Sequence, residues 1–277
     1  MSEEHSKRSL AVVCLTPEAA AAAAFLAERL GAELHVHALV KNCPKATVFG
    51  RIAERLSELW PQARGLVVFA PTGVVVRSIA PLLEHKTKDP GVVVVDALAR
   101  WAIPLVGGHE GGANRLSERV ANLLGSEPIV TTASEAVRDL VVGLGCRRGV
   151  PGDEILAAVE AALAGLGIPR TRVRCLATAS PKRDEAGILE AAAALEIPLQ
   201  VVHELEIRSR RRLRRTAAAR HVGLVAVSQP AALSAGRRTQ CLLKRFRHGR
   251  VMVAIAQECS GWWDSDPAMP GIAPRLP

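Results

Sequence analysis

The sequence predicts an α/β protein made of two three-layer domains with mostly parallel sheets. Short apolar runs alternate with helical patterns along the chain, and Gly and Pro separate them. The alternation starts again near residue 140, and 277 residues suit two ordinary domains. We therefore predict domains at 1–139 and 140–257, followed by a tail at 258–277 that is rich in Pro and Gly and is expected to be disordered.

The first half supplies the pattern of a three-layer domain. Predicted strands cover 10–15, 34–39, 65–70, 92–96, 103–106 and 128–131. Predicted helices cover 17–30, 47–59, 73–83 and 112–124. Thr72 is a favourable N-cap for the third helix, and Gly31 and Gly125 end the first and the fourth.

The second half repeats the alternation. Predicted strands cover 140–144, 173–177, 199–202 and 223–227, and 239–243 and 250–256 form a closing antiparallel pair. One helix covers 152–164, and a second runs from Ser180 to about residue 195. Ser180 and Pro181 suit an N-cap and a first helical position.

Composition excludes several classes of protein. Hydrophobic residues make up 49% and charged residues 23%, which is ordinary for a globular chain. No apolar run approaches the roughly 18 residues of a membrane span, and the start does not resemble a signal peptide, so we expect a cytoplasmic protein. Six cysteines are scattered without a CxxC pair, and His35-Val36-His37 has no further ligand cluster, so no metal site is predicted.

The charge balance points to an anionic partner. Lys and Arg number 36 against 27 Asp and Glu, and most of the basic residues are Arg. Arg matches carboxylate and phosphate groups, although a GC-rich genome would also enrich it. Aromatic residues are only 3%, which counts against base stacking. The basic run at 208–215 is either a nucleic-acid patch or a solvated helix face.

Two junctions in the first half carry candidate chemistry. Thr72 and Gly73 open a helix after a strand, where free N–H groups favour an anion, and Arg77 follows one turn later. The second junction is the loop GGHEGGAN, in which glycines surround an ionisable pair. His109 is a candidate general base. In a parallel sheet such junctions share the carboxyl edge of the strands.

Two junctions in the second half could bind carboxylates. The loop GLGCRRG follows a strand but lacks the third glycine of a dinucleotide site, and Arg147 lies in it. Lys182 and Glu185 are neighbours on a helical turn. The structural alternatives are a tight turn with solvated arginines and a simple ion pair.

Taken together, these segments resemble the cobalt-precorrin-5A hydrolase family of anaerobic cobalamin biosynthesis. The resemblance rests on APTGVVVRSIAPLL, KTKDP, GGHEGGAN and TTASEA in this order, and on GLGCRRG and LATASPKRDEAG downstream. It covers roughly residues 60–257. Most relatives carry a middle domain between the segments that correspond to TTASEA and GLGCRRG, but here Glu135 and Val141 are only six residues apart, so this domain is missing. Glu110 also stands where an apolar residue is common.

The resemblance implies site residues in both halves. The candidate catalytic residues are His109 and Asn114, with Glu110, which departs from the family pattern, as the substitute for His109. Implied substrate-binding residues are Thr72, Gly73, Arg77, Lys86, Gly111, Gly112, Thr131, Thr132, Gly145, Cys146, Arg147, Lys182 and Glu185. We expect Thr72, Gly73 and Asn114 to aim donors at one oxyanion; alternatively, Asn114 only caps its helix.

The implied activity is hydrolysis in vitamin B12 biosynthesis. Water opens the δ-lactone of a cobalt-containing tetrapyrrole, and a two-carbon unit leaves as acetaldehyde. The cobalt belongs to the substrate, so we expect no cofactor. A polycarboxylated corrin precursor would suit the Arg-rich chain. Other enzymes of the pathway and a second copy of the chain are candidate protein partners; nucleic acid and membrane are not expected. The alternative is a non-catalytic carrier of a corrinoid intermediate.

Overall fold

A computed structural model describes residues 9–209 and 227–259. These residues form two compact units, which divide between Ala133 and Ser134. The one-turn helix α5, Ala133–Ala136, spans this division. Among the described residues, no helix is long and apolar enough to cross a membrane. Outside the described residues lie all but the last residue of the predicted strand at 223–227, most of the basic run at 208–215 and nearly all of the predicted tail.

Unit 1 contains a seven-stranded sheet and four α-helices. The strands are β1 Ser9–Cys14, β2 Glu33–His37, β3 Thr47–Phe49, β4 Ala63–Phe69, β5 Gly91–Val95, β6 Trp101–Val106 and β7 Glu127–Pro128. The helices are α1 Ala20–Leu30, α2 Ile52–Leu59, α3 Thr72–Ile79 and α4 Ala113–Leu124. Short 3₁₀ turns at Pro17–Ala19 and Ala80–Leu82 adjoin α1 and α3.

The strand order of unit 1 is β3-β2-β1-β4-β5-β6-β7. All neighbouring strands are parallel except β5 and β6. Both faces of the sheet are covered, which makes three layers. Leu26 of α1 and Val120 of α4 pack on one face, and Leu56 of α2 and Val75 of α3 pack on the other. Apolar residues therefore run continuously along the central strands, as is usual for a sheet buried on both sides.

Unit 2 contains a five-stranded mixed sheet. The strands are β8 Leu140–Cys146, β9 Val173–Ala179, β10 Leu199–Val202, β11 Thr239–His248 and β12 Val251–Glu258. The helices are α6 Gly152–Ala164, α7 Ala186–Leu195, α8 Glu204–Ser209 and α9 Ser228–Ser234, and 3₁₀ turns cover Arg170–Arg172 and Ser180–Lys182. The strand order is β10-β9-β8-β12-β11. Strands β8, β9 and β10 are parallel, whereas β12 runs antiparallel to both of its neighbours.

Helices cover both faces of this sheet as well. Ile155 of α6 and Ile188 of α7 pack against one face, whereas Ile207 of α8 and Ala231 of α9 pack against the other. The predicted α/β class and the closing antiparallel pair are confirmed.

Three predicted elements were wrong in part. Residues 47–59 form strand β3 and then α2, because Thr47, Val48 and Phe49 are strand formers that pair in parallel with β2. Thr72 is the first residue of α3 rather than its N-cap, which is Pro71. The turn after Ser180 is 3₁₀, and α7 begins only at Ala186.

A buried histidine on β2 makes the stability of unit 1 sensitive to pH. His35 is only 4% exposed, and its Nε2 lies 3.5 Å from a carboxylate oxygen of Glu33. Burial and the nearby guanidinium of Arg55, itself paired with Glu58, lower the pKa of His35. Between its unfolded and folded pKa values, the unfolded chain therefore binds a proton that the folded chain does not.

We expect unit 1 to lose stability as the pH falls below about 6.5. The loss should be about 1.4 kcal/mol for each unit by which folding lowers the pKa of His35. Urea unfolding at pH 8, 6 and 5 would measure it, with His35→Leu as the comparison. If the variant keeps the same pH dependence between 6.5 and 5, another group causes the loss.

Candidate functional site

The GGHEGGAN loop lies at the amino edge of the parallel strands. It follows β6, which runs antiparallel to β5, so Val106 at the end of β6 pairs with Val92 at the start of β5. The expectation that all four junctions share the carboxyl edge was therefore wrong for this loop. The segment that carries Lys86 reaches the same edge, because it leads into β5.

Three glycines fasten the loop to the start of β5. A Cβ atom on Gly91 would lie 2.5 Å from the carbonyl oxygen of Gly111, and one on Gly111 would lie 2.9 Å from the carbonyl oxygen of Gly107. Gly107 also has a φ of 68°, which favours glycine. Gly111, which the sequence suggests for substrate binding, therefore packs backbone against backbone.

The other glycines of the loop have different surroundings. Gly112 has a φ of 74°, and nothing lies within 4 Å of the position that a Cβ would take, so space is open beside it. A Cβ on Gly108 would meet the side chains of Thr132 and Asn114 at 2.9 and 3.0 Å. Of these glycines, Gly112 thus leaves backbone free for close approach of a ligand.

Asn114 lies inside the loop and does not cap α4. The N-cap is Gly112, and Asn114 is the second helical residue, so the capping alternative was wrong. Its backbone N–H donates to the carbonyl oxygen of Gly108 at 2.9 Å, and its Nδ2 donates to Oγ1 of Thr132 at 2.9 Å. The residue is 7% exposed, and its Oδ1 is buried with no hydrogen-bond partner among the described residues.

This geometry links the loop to the TTA segment. Thr132 is half-buried and holds the amide of Asn114, whereas Thr131 beside it is exposed. The first two N–H groups of α4 donate to Gly107 and Gly108, so the loop itself closes this helix end. Sequence reasoning placed Asn114 and Thr132 in the site separately and missed the bond between them.

His109 stands at the tip of the loop. It is exposed, and its imidazole makes no hydrogen bond to any described residue. Glu110 beside it accepts a hydrogen bond from Lys86 Nζ at 2.7 Å. The hydrogen bond from Lys86 holds the pKa of the Glu110 carboxyl below its usual range, and Glu110 raises the pKa of Lys86. The imidazole and a fixed ion pair thus face solvent together.

We expect Lys86→Ala to raise the pKa of the Glu110 carboxyl toward its ordinary value. The ammonium is its principal partner, and the pair is exposed, so the melting temperature should hardly change. Carboxyl titration by NMR would measure the shift. Lys88→Ala is the matched control, because Lys88 pairs with Glu84 on the same segment. An unchanged titration of Glu110 in Lys86→Ala would show that the pair does not persist in solution.

Thr72, Gly73 and Arg77 occupy the opposite edge of the sheet. They follow β4, whose last residue, Phe69, pairs with Val95 at the end of β5. Arg77 donates to the carbonyl oxygen of Gly73 at 3.2 Å, and this bond is exposed. The expectation that Thr72, Gly73 and Asn114 surround one oxyanion was wrong, because β6 reverses direction and carries Asn114 to the other edge.

In unit 2, the GLGCRRG loop follows β8 at the carboxyl edge of the parallel strands. A Cβ on Gly143 would overlap the backbone of Ser228, so this glycine serves the packing of α9. Gly145 has only ordinary contacts with Val227 and Ser228. Buried Thr178 donates to the carbonyl oxygen of Leu144 at 3.1 Å and steadies the strand end, a role that its sequence context did not reveal.

Lys182 and Glu185 form an ion pair with an N–O distance of 2.7 Å. Their side chains are 13% and 10% exposed, so the ion pair of the structural alternative is present, and a role in substrate binding stays a prediction. The other oxygen of Glu185 accepts the backbone N–H of Gly149 at 2.6 Å. Although burial opposes it, the bonds from Lys182 and Gly149 keep the pKa of Glu185 below its usual range.

Cys146 lies beside this ion pair. Burial raises the pKa of its thiol to about 11, and the positive charge of Lys182 only partly offsets the effect. A thiol with this pKa is almost wholly protonated at neutral pH, so it is a poor nucleophile. Arg147 follows it and is exposed.

No group of three His, Cys, Asp or Glu side chains within 9–209 and 227–259 is placed to hold a metal ion. His37 instead secures the end of β2. One ring nitrogen lies 2.8 Å from the carbonyl oxygen of Gly50, and the other accepts the N–H of Leu39 at 3.2 Å.

Both units match family models that carry one family name. The N-terminal domain of cobalamin synthesis G matches residues 54–135, and its C-terminal domain matches 140–256. A cobalt-precorrin-5A hydrolase of Salmonella typhimurium is 36% identical over 131 residues, which cover 46% of this chain and 36% of that protein. A probable cobalt-precorrin-5A hydrolase of Methanocaldococcus jannaschii is 25% identical, and the match covers 70% of this chain and 85% of that protein.

Solved structures include one described as a putative cobalamin biosynthesis protein G homolog from Sulfolobus solfataricus. It is 18% identical, with a TM-score of 0.37, and the match covers 92% of this chain and 98% of that one. CobE, a protein from the cobalamin biosynthetic pathway, is 30% identical, with a TM-score of 0.39, and the match covers 43% of this chain and 89% of CobE.

The chain spans only part of several curated relatives. It covers 36% of the Salmonella protein and 25% of a cobalt-precorrin-5A hydrolase from Priestia megaterium. The two domain matches nevertheless follow each other directly and together cover well over half of the 277 residues. The chain therefore belongs to the cobalamin synthesis G family.

Proposed function

We propose that the chain is a cobalt-precorrin-5A hydrolase that opens the δ-lactone of its substrate and releases acetaldehyde, giving cobalt-precorrin-5B. The observation that carries the proposal is His109, an exposed imidazole with no hydrogen bond to the described residues, on a loop fixed by backbone packing. The names of the relatives at 36% and 40% identity support the substrate class.

The reaction asks for two proton transfers that one base can perform. His109 would take a proton from water as the water oxygen adds to the lactone carbonyl. Collapse of the adduct breaks the acyl–oxygen bond and gives a carboxylate and an alcohol. Removal of the alcohol proton then breaks the carbon–carbon bond, which releases acetaldehyde and leaves a carbanion to be protonated on the macrocycle.

The charged groups near His109 suit this chemistry. Lys86 lies at the same edge in an ion pair with Glu110, so its ammonium would have to exchange Glu110 for the developing oxyanion or a substrate carboxylate in order to serve the reaction. The donors of Asn114 already serve Gly108 and Thr132, which favours Asn114 as a residue that shapes the loop. Arg77 and Thr72 lie at the other edge, so any group of the ligand that they bind is distant from the lactone.

The decisive experiment is anaerobic incubation of the purified chain with cobalt-precorrin-5A, followed by trapping of acetaldehyde as its hydrazone. We expect acetaldehyde in proportion to the lactone consumed, and a far slower release with His109→Ala. Recovery of intact lactone bound to the protein would instead support a non-catalytic corrinoid carrier.

Several expectations belong to the same proposal. The substrate would bring its cobalt, and the protein would need no cofactor of its own. Other pathway enzymes and a second copy of the chain are the proposed protein partners, and the cytoplasm is the proposed compartment. Gel filtration of the purified chain, alone and mixed with other enzymes of the pathway, would test these partners.

A further inference from the structure

The carboxyl edge of unit 2 carries three arginines that form no ion pair with a described carboxylate. Arg147 and Arg148 follow β8 and are exposed, with no side-chain hydrogen bond to any described residue. Arg183 lies in the turn after β9, and its Nε is buried without a partner in the described part of the chain. Strands β8 and β9 are parallel neighbours, so both loops leave the sheet at the same edge.

Glu185 holds these two loops together. One carboxylate oxygen accepts the N–H of Gly149, which follows Arg148, and the other pairs with Lys182, which precedes Arg183. Arg148 is close enough to lower the pKa of Glu185. Because Glu185 is 10% exposed, it is part of the framework rather than a group that meets solvent.

The acids around this edge are already engaged. Glu154 pairs with Arg250, the carboxylate of Glu190 accepts the N–H of Gly152, and Asp153 accepts the N–H of Glu154. Exposed Asp184 is the remaining carboxylate of the two loops. Backbone N–H groups leave Glu190 and Asp153 charged, so the edge holds charges of both signs. The carboxylates of the two ion pairs are nevertheless committed to Lys182 and Arg250 rather than to the three arginines. Guanidinium groups bind carboxylates through paired hydrogen bonds, so the arginines suit a carboxylate ligand.

We propose that Arg147, Arg148 and Arg183 form a carboxylate-binding edge for the acetate and propionate side chains of a polycarboxylated tetrapyrrole. Glu185 is a positioning residue that fixes the arginines, and Lys182 neutralises Glu185 rather than touching the ligand. The choice of a tetrapyrrole as the ligand rests on the proposed function, whereas the arrangement of the arginines is observed in the structure and does not depend on that function.

The test uses uroporphyrin, a tetrapyrrole with carboxylates on every ring, and measures its affinity by fluorescence quenching. We expect Arg148→Ala and Arg183→Ala each to weaken binding about tenfold, the loss of one charge-assisted contact. Arg170→Ala is the matched control, because Arg170 is exposed and precedes β9 at the opposite edge. It should bind like the wild type.

Two outcomes would overturn the proposal. One is wild-type affinity in both Arg148→Ala and Arg183→Ala. The other is displacement of uroporphyrin by duplex DNA at equal charge concentration, which would make the edge a nucleic-acid surface. The assay involves no lactone chemistry, so a chain that binds through these arginines but releases no acetaldehyde would refute only the proposed function.

Glu185→Gln separates positioning from simple charge. The variant gains one positive charge, so electrostatics alone would strengthen the binding of an anion. Positioning predicts weaker binding, because Lys182 loses its partner and the loops loosen. Glu185→Gln combined with Lys182→Met removes both charges and guards against misfolding, which the melting temperature reports. The positioning role would be contradicted if Glu185→Gln bound uroporphyrin more tightly than the wild type and the folded double variant bound it no more weakly than the wild type.

Discussion

Replacing His109 by Ala should lower the proposed hydrolysis of cobalt-precorrin-5A about 10²–10⁴-fold, the usual contribution of a positioned general base. His109 is exposed and makes no hydrogen bond to the described residues, so its loss should leave the fold and the affinity for substrate almost unchanged. Single-turnover rates of acetaldehyde release, together with the dissociation constant, would separate chemistry from binding.

His85→Ala provides the control for His109→Ala. His85 lies on the segment that carries Lys86, is exposed and contacts Thr87 through Nδ1 at 2.8 Å. Its removal should leave turnover intact. Near wild-type turnover in His109→Ala would remove the assignment and make Glu110 the next candidate, to be tested as Glu110→Gln.

Local sequence signals predicted most elements because they depend on neighbours in the chain. Helix α6 and strand β10 were predicted with the observed bounds. Gly31 and Gly125 end their helices with φ values of 62° and 74°, which glycine adopts without strain. The pairing of Lys182 with Glu185 also follows from their spacing of three residues.

The position of the His109 loop could not be predicted in the same way. Strand direction depends on how β6 pairs with β5, and nothing in the residues of either strand specifies an antiparallel register. A short connection from Val95 to Trp101 leaves little room for a crossover helix, and this spacing was the available signal. Once β6 is reversed, Asn114 and Thr72 lie at opposite edges.

Long-range bonds were also beyond local reasoning. Glu185 reaches Gly149 across 36 residues, and Asn114 reaches Thr132 across 18. In each case the sequence identified residues of the right chemistry but not their partner. Such bonds turn separate motifs into one loop framework, and only the fold brings their ends together.

The second large effect concerns Gly91, whose importance is hidden in the apolar run of β5. Gly91→Ala should destabilise unit 1 by about 1–3 kcal/mol or more, because its Cβ would lie 2.5 Å from the carbonyl oxygen of Gly111. The obstacle is backbone, so no side chain can rotate away. The loop must move instead, and it carries His109 with it.

Gly91→Ala should therefore lower turnover even where the protein remains folded. Urea unfolding would report the loss of stability, and single-turnover kinetics below the unfolding transition would report the displacement of His109. Gly50→Ala is the matched control in unit 1, since nothing lies within 4 Å of its Cβ position. Gly50→Ala should keep the stability and turnover of the wild type. If Gly91→Ala keeps both as well, the loop tolerates movement. The glycines around His109 would then serve ligand approach, as their pattern in the sequence suggests, rather than close packing of the backbone.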